Sequence, residues 1–99
     1  MKTQSEFAFI AFHAFLGYID EGVRAIAYEY SGPRIAIYGY LTRAPMPEDY
    51  EIIDYAITEI MASCPEILAQ EIILTPSIGR FKPLKAHDVW IFRRNEEMN

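Results

Sequence analysis

The sequence predicts an α+β fold, a two-layer α/β sandwich in which two helices cover one face of a mainly antiparallel four-stranded sheet. Three observations lead to this prediction: two stretches with helical spacing of apolar residues, four short runs rich in strand-forming residues, and a Gly-containing turn between the first two runs. The expected order is helix, strand, strand, helix, strand, strand. Because 99 residues suffice for one core, we expect residues 1–99 to form a single domain.

The first helix is predicted to begin at a Ser5 cap and to run to about Tyr18. Large apolar side chains recur along it at helical spacing, which predicts the side that faces the core. These side chains are Phe9, Phe12, Phe15, Leu16 and Ile19. We therefore expect this arc to pack against the sheet.

Residues 24–41 predict an antiparallel hairpin. Strand-forming residues alternate over 24–30 and again over 34–41, and the Ser31-Gly32-Pro33 turn separates the two runs. Four tyrosines in these runs are more than two helices can cover, so we expect some of them on an open second face of the sheet. They are Tyr28, Tyr30, Tyr38 and Tyr40.

A second helix is predicted from Pro47 to the Cys64-Pro65 pair, because proline is favoured in a first turn and disfavours helix in the residue before it. Its apolar stripe is expected to face the core. The stripe consists of Ile53, Ala56, Ile57 and Ile60. Runs at 70–74 and 88–93 predict the last two strands, with a long loop over 75–87 between them.

Residues that could carry catalysis or bind a metal are scarce. The chain has two histidines, His13 and His87, and one cysteine, Cys64. It contains no Gly-x-Ser-x-Gly elbow, no pair of metal ligands at a known spacing and no Gly-rich loop before a helix. We therefore predict that the protein is not an enzyme and has no catalytic residue, metal site or cofactor. A hydrolase would need one of the histidines in a pocket beside a carboxylate.

Charge is the most informative pattern in the sequence. The formal net charge is −5, and the segment from Glu48 to Glu71 has seven acidic residues and no Lys or Arg. The basic segment Arg80–Lys85 is short and the net charge opposes it, so we expect no direct binding of nucleic acid. The apolar run Phe7–Ile19 is too short to span a membrane, and we expect a cytoplasmic protein that binds no membrane.

The outer face of the second helix collects acids without cations. An acidic helix face is usually only solvated. Like charges three or four residues apart nevertheless destabilise a helix by roughly 0.2–0.5 kcal/mol, so the sharper hypothesis is a docking surface for a basic protein. The candidate partner-binding residues are Glu48, Glu51, Asp54, Tyr55 and Glu59. Among the carboxylates, Tyr55 would serve as an aromatic anchor. The open sheet face and the loop over 75–87 remain alternative interfaces.

The chain resembles the small immunity proteins of bacterial contact-dependent growth inhibition and related polymorphic toxin systems. The resemblance covers residues 5–94 and rests on element order and on short local strings. These strings are Arg24-Ala25-Ile26, Ile35-Ala36-Ile37-Tyr38, Pro47-Glu48-Asp49-Tyr50-Glu51, Ile57-Thr58-Glu59-Ile60-Met61-Ala62, Cys64-Pro65 and Val89-Trp90-Ile91-Phe92-Arg93-Arg94.

The resemblance implies a non-enzymatic protein that binds the C-terminal domain of a cognate toxin, commonly a nuclease, and occludes its active or substrate-binding surface. A nuclease is basic where it holds phosphates, which would complement the acidic helix. In this interpretation the chain is a monomer or a weak homodimer. The alternative is a small-molecule-binding or self-associating regulatory module that uses the open sheet face.

Overall fold

The computed structural model describes residues 3–94 and contains two helices and four strands in that range. They are α1 (Gln4–Ala14), β1 (Val23–Ser31), β2 (Arg34–Leu41), α2 (Pro47–Ser63), β3 (Ala69–Pro76) and β4 (Val89–Arg93). The predicted α+β class is confirmed, and the structure corrects the arrangement of the sheet. Among these residues, no helix is long and apolar enough to cross a bilayer.

The sheet is mixed, and its strand order is β3-β2-β1-β4. β1 pairs antiparallel with β2 and with β4, in line with a mainly antiparallel sheet, whereas the β2–β3 pair is parallel, which the sequence did not predict. The reason is the connection through α2, because a helical crossover brings the chain back to begin the next strand in the same direction.

The hairpin between β1 and β2 closes through a shorter loop than the sequence suggested. Ser31 pairs with Arg34, which leaves only Gly32 and Pro33 in the turn. Gly32 has a φ of 59°, a left-handed conformation that glycine adopts without strain. A two-residue hairpin loop with glycine at its first position matches the twist of the flanking strands.

The start and end of α1 differ from the prediction. Thr3, not Ser5, is the N-cap. The Thr3 hydroxyl oxygen accepts the Glu6 N–H at 3.1 Å, and the Glu6 carboxylate accepts the Thr3 N–H at 2.9 Å. This reciprocal capping box satisfies two donors that the helix cannot satisfy itself. The helix then ends at Ala14 rather than at Tyr18.

The prediction for the core face of α1 is wrong at three of its positions. The buried residues of this segment are Phe7, Ala11, Ala14 and Phe15, whereas Phe9, Phe12 and Leu16 are exposed. Apolar residues surround α1 on every side, so spacing alone does not select a face. The Phe7 ring determines which side of α1 is buried, because it stacks on the Tyr30 ring with a centroid distance of 3.8 Å and meets the Tyr28 ring edge-on at 5.2 Å.

The apolar stripe of α2 lies in the core, as predicted. Its members are Ile53, Ala56, Ile57 and Ile60, and all four are buried. They share one cluster with Ile35 and Ile37 of β2 and with Phe7 of α1, so both helices pack on the same face of the sheet. Burial of each isoleucine side chain contributes roughly 1.5–3 kcal/mol, which fixes the orientation of α2.

The second face of the sheet is covered rather than open around Tyr40. The 77–88 loop folds over this face, and Tyr40 has no solvent exposure. Its hydroxyl oxygen accepts the Leu84 N–H at 3.1 Å and is hydrogen-bonded to Nε2 of His87. The expectation of an open tyrosine surface is therefore corrected at Tyr40, while Tyr38 is half-buried.

Candidate functional site

The outer side of α2 carries all five residues that the charge pattern singled out. We call this surface the acidic face: Glu48, Glu51, Asp54, Tyr55 and Glu59, all of them exposed. Residues three and four apart return to one side of a helix, and the buried isoleucine stripe holds the opposite side against the sheet. Tyr55 is 63% exposed, so its ring stands among the carboxylates in solvent.

Within residues 3–94, no Lys or Arg side chain pairs directly with a carboxylate of the acidic face, and Arg43, which pairs with Asp49, acts on Glu48 only through space. Glu48 and Glu51 form no ion pair there. Glu59 Oε1 accepts the Tyr18 hydroxyl at 3.4 Å, and Asp54 Oδ1 accepts Nε2 of Gln70 at 2.6 Å. Both of these donors are neutral, so neither Asp54 nor Glu59 is paired with a cation.

Asp49 differs from these acids because it serves the fold. It is 9% exposed, and its carboxylate accepts Nη1 and Nη2 of Arg43 at 2.7 and 2.9 Å and the Met46 N–H at 2.7 Å. The Arg43 guanidinium holds the pKa of the Asp49 carboxyl below its usual range. Arg43, which precedes α2, thus pairs with Asp49, while the acidic face stays exposed to solvent.

Basic side chains gather on the other face of the sheet, around the 77–88 loop. The Arg93 guanidinium lies over the rings of Phe81 and Trp90, at 5.0 and 5.2 Å from their centroids. Lys85 Nζ is 2.6 Å from a carboxylate oxygen of Glu29. The protein is therefore electrostatically two-sided, with acids on the helix layer and cations packed on aromatic rings across the sheet.

His87 lies beside a carboxylate but inside packed structure. Its side chain has no solvent exposure, and the ring meets the Trp90 ring edge-on at 5.1 Å. Nδ1 is 3.8 Å from Glu29 Oε2 and has no hydrogen-bond partner. Burial lowers the pKa of His87, which favours its neutral form. These contacts make His87 a core residue between loop and sheet rather than a group facing a substrate pocket.

The remaining candidates from the sequence have ordinary surroundings. His13 is exposed on α1, and Cys64 is buried at the end of α2. Among residues 3–94, no group of three or more His, Cys, Asp or Glu side chains could hold a metal ion.

Sequence reasoning missed a second surface feature, the exposed apolar side of α1. Helical spacing predicts Phe9, Phe12 and Leu16 in the core, whereas the structure exposes them to solvent. The signal that could have revealed them is the pair Ala11 and Ala14 at helical spacing from Phe7. Small residues mark the side on which a helix can approach a sheet closely. The bulky residues Phe9, Phe12 and Leu16 then lie on the opposite side, away from the sheet.

Comparison with known families matches this chain to one family model over most of its length. The model is that of the MafI2 immunity protein, and it matches residues 4–96. This range includes both helices and the four strands described above. Comparison with curated proteins gives no match.

Proposed function

Because the chain belongs to the MafI2 immunity protein family, we propose that it neutralises a cognate toxin by binding the toxin's C-terminal domain through the acidic face. Membership in an immunity family implies a toxin partner. The acidic face supplies the surface for it, with Glu48, Glu51 and Glu59 directed to solvent. Binding there would occlude the active or substrate-binding surface of the toxin.

The observation that carries this proposal is that, among residues 3–94, no cation pairs directly with a carboxylate of the acidic face. Its Asp54 and Glu59 meet only neutral donors, and Glu48 and Glu51 form no ion pair in that range. A basic partner would cover these charges and would be steered to them over long range. Since nucleases hold phosphates with cations, we propose a basic nuclease as the toxin.

We further propose that the chain acts without catalysis, in the cytoplasm of the cell that makes the toxin, and without direct contact to nucleic acid. A net charge of −5 repels a phosphate backbone. It also opposes symmetric pairing through α2, because two acidic faces would meet. The proposed active species is therefore a monomer, with homodimers at most weak.

The test is a binding titration against the toxin domain encoded next to this gene. Glu51→Lys and Glu59→Lys should each weaken binding at least about tenfold and reduce its dependence on salt concentration. Asp88→Lys is the matched control, since it makes the same charge change at an exposed position before β4 and should bind as wild type. Wild-type affinity and salt response in both α2 variants would remove the acidic face from the interface.

The alternative function, a small-molecule or self-association module, needs the second face of the sheet. The 77–88 loop occupies that face at Tyr40, whose hydroxyl is already bonded to Leu84 and His87. The aromatic surface that motivated the alternative is in large part internal, and we do not propose it.

A further inference from the structure

We propose that the outer side of α1 forms the apolar centre of the toxin-binding surface, and that the toxin presents an apolar depression bordered by basic residues. We call this surface the apolar face: Phe9, Phe12 and Leu16. The inference rests on the proposed function and extends its site from the acidic face of α2 to a second helix.

The apolar face brings together three exposed large apolar side chains within eight residues of the chain. Phe9, Phe12 and Leu16 are 72%, 42% and 70% exposed. Phe9 and Phe12 lie three residues apart on α1, and Leu16 follows in the turn after the helix ends at Ala14. Together they expose apolar area on the order of 300 Å², since each aromatic ring alone carries about 150–250 Å². Apolar patches of this size on monomers are often functional.

The core does not require apolar residues at these positions. The opposite side of α1 already closes the core through Phe7 and Ala11, both with no exposure. Polar side chains at positions 9, 12 and 16 would leave those contacts unchanged and would improve solubility. The apolar face therefore has no explanation within the fold of residues 3–94, and a partner explains it.

The apolar and acidic faces are parts of one surface. α1 and α2 pack side by side on the sheet, and Phe15 and Ile52 line the space between them. Beyond the end of α1, the Tyr18 hydroxyl reaches Glu59 of the acidic face at 3.4 Å. The exposed Tyr55 ring adds apolar area on α2. An apolar centre with a charged rim is the usual composition of a protein interface.

The charge of the neighbouring acidic face indicates which kind of molecule can cover the apolar face. The apolar face is smaller than the roughly 800 Å² per partner that a stable interface buries, so an occupant must cover part of α2 as well. A second copy of the chain would bring two acidic faces together, and an anionic membrane would be repelled by the net charge of −5. A protein with cations around an apolar depression can cover the apolar face and also pair with the acids of α2.

The experiment replaces the exposed apolar side chains without changing charge. Phe9→Gln and Leu16→Gln are titrated against the toxin domain encoded next to this gene, at low and high salt. Each should weaken binding at least about tenfold and leave its salt dependence unchanged, in contrast to Glu51→Lys. Ile78→Gln is the matched control, because Ile78 is 79% exposed in the loop on the other face and should bind as wild type.

Thermal unfolding separates binding from folding. Glutamine is a good helix former, so the variants should melt close to wild type. If Phe9→Gln folds poorly, Phe9→Ala replaces it, because alanine is the best helix former. Light scattering after size exclusion is expected to show a monomer. A wild-type dimer that Phe9→Gln converts to a monomer would assign the apolar face to a second copy and overturn the inference.

The outcomes distinguish the two proposals. Failure of the wild-type chain to bind the toxin domain would refute both of them. Wild-type binding that Glu51→Lys weakens and that Phe9→Gln and Leu16→Gln leave intact would retain the proposed function and overturn this inference. Loss of affinity in both sets of variants, with a changed salt response only for Glu51→Lys, supports both.

Discussion

Replacement of Glu51 by lysine should stabilise the folded chain while it weakens toxin binding. Glu51 lies three residues from Glu48 and three from Asp54, so it takes part in two like-charge pairs on the surface of α2. Each such pair destabilises a helix by roughly 0.2–0.5 kcal/mol, and an opposite-charge pair stabilises it by a similar amount. Two repulsions replaced by two attractions therefore raise the free energy of unfolding by about 1 kcal/mol.

The expected gain is large enough to measure as a shift in melting temperature. For a domain of this length, about 1 kcal/mol corresponds to roughly 4–8 °C. Circular dichroism melts at low salt and in about 1 M NaCl are the assay, because salt screens surface charges and should reduce the gain. Glu51→Gln is the matched control, since it removes the repulsions without new attractions and should give about half of the shift.

A lower melting temperature for Glu51→Lys at low salt would refute the reasoning. It would mean that the Glu51 carboxylate stabilises the folded chain. A stabilising role would account for the acidic residues of α2 without a basic partner. A gain of equal size at both salt concentrations would show that the stabilisation is not electrostatic. A stabilised variant that keeps wild-type affinity for the toxin would separate the charge of α2 from binding.

Two further variants test contacts that hold the site in place. Asp49→Asn should lower the free energy of unfolding by about 1–2 kcal/mol at pH 7, because it removes the charged partner of Arg43. The pKa of the Asp49 carboxyl is lowered on folding, so its contribution is present above about pH 4 and is lost as the pH falls through the folded-state value. Urea unfolding should therefore show a difference at pH 7 that shrinks as the pH is lowered below about 4, and a difference that does not change with pH would contradict the ion pair. Tyr40→Phe should lower the free energy of unfolding by about 2–4 kcal/mol, because it leaves the Leu84 N–H and the His87 Nε2 without partners in a buried site. Calorimetry measures this loss, toxin affinity should not change, and a loss below about 0.5 kcal/mol would show that the loop does not depend on this hydroxyl.

The two helices show how far a sequence predicts a buried face. In α2, Ile53, Ile57 and Ile60 form one stripe against polar neighbours, and the predicted face is the observed one. In α1, every side has apolar residues, and the correct side follows from the stacking of Phe7 on Tyr30. Such a contact joins residues distant in sequence, so no local spacing reveals it.

The strand directions show a second limit. The β1–β2 hairpin follows from its turn residues, and it was predicted. The parallel pairing of β2 with β3 follows from the crossover through α2. The sequence pattern of a strand does not state its direction, although a helix of this length between neighbouring strands favours a parallel pair.

Local sequence patterns were enough to predict two helices, four strands, the hairpin and the acidic outer side of α2, because turn chemistry and helical spacing act over a few neighbouring residues. Three features required the three-dimensional fold: the buried side of α1, the direction of β3 and the cover over Tyr40. Each of these depends on the free energy of packing between segments far apart in the chain. For that reason the exposed Phe9 and Leu16 became visible only once Phe7 had been placed against the sheet.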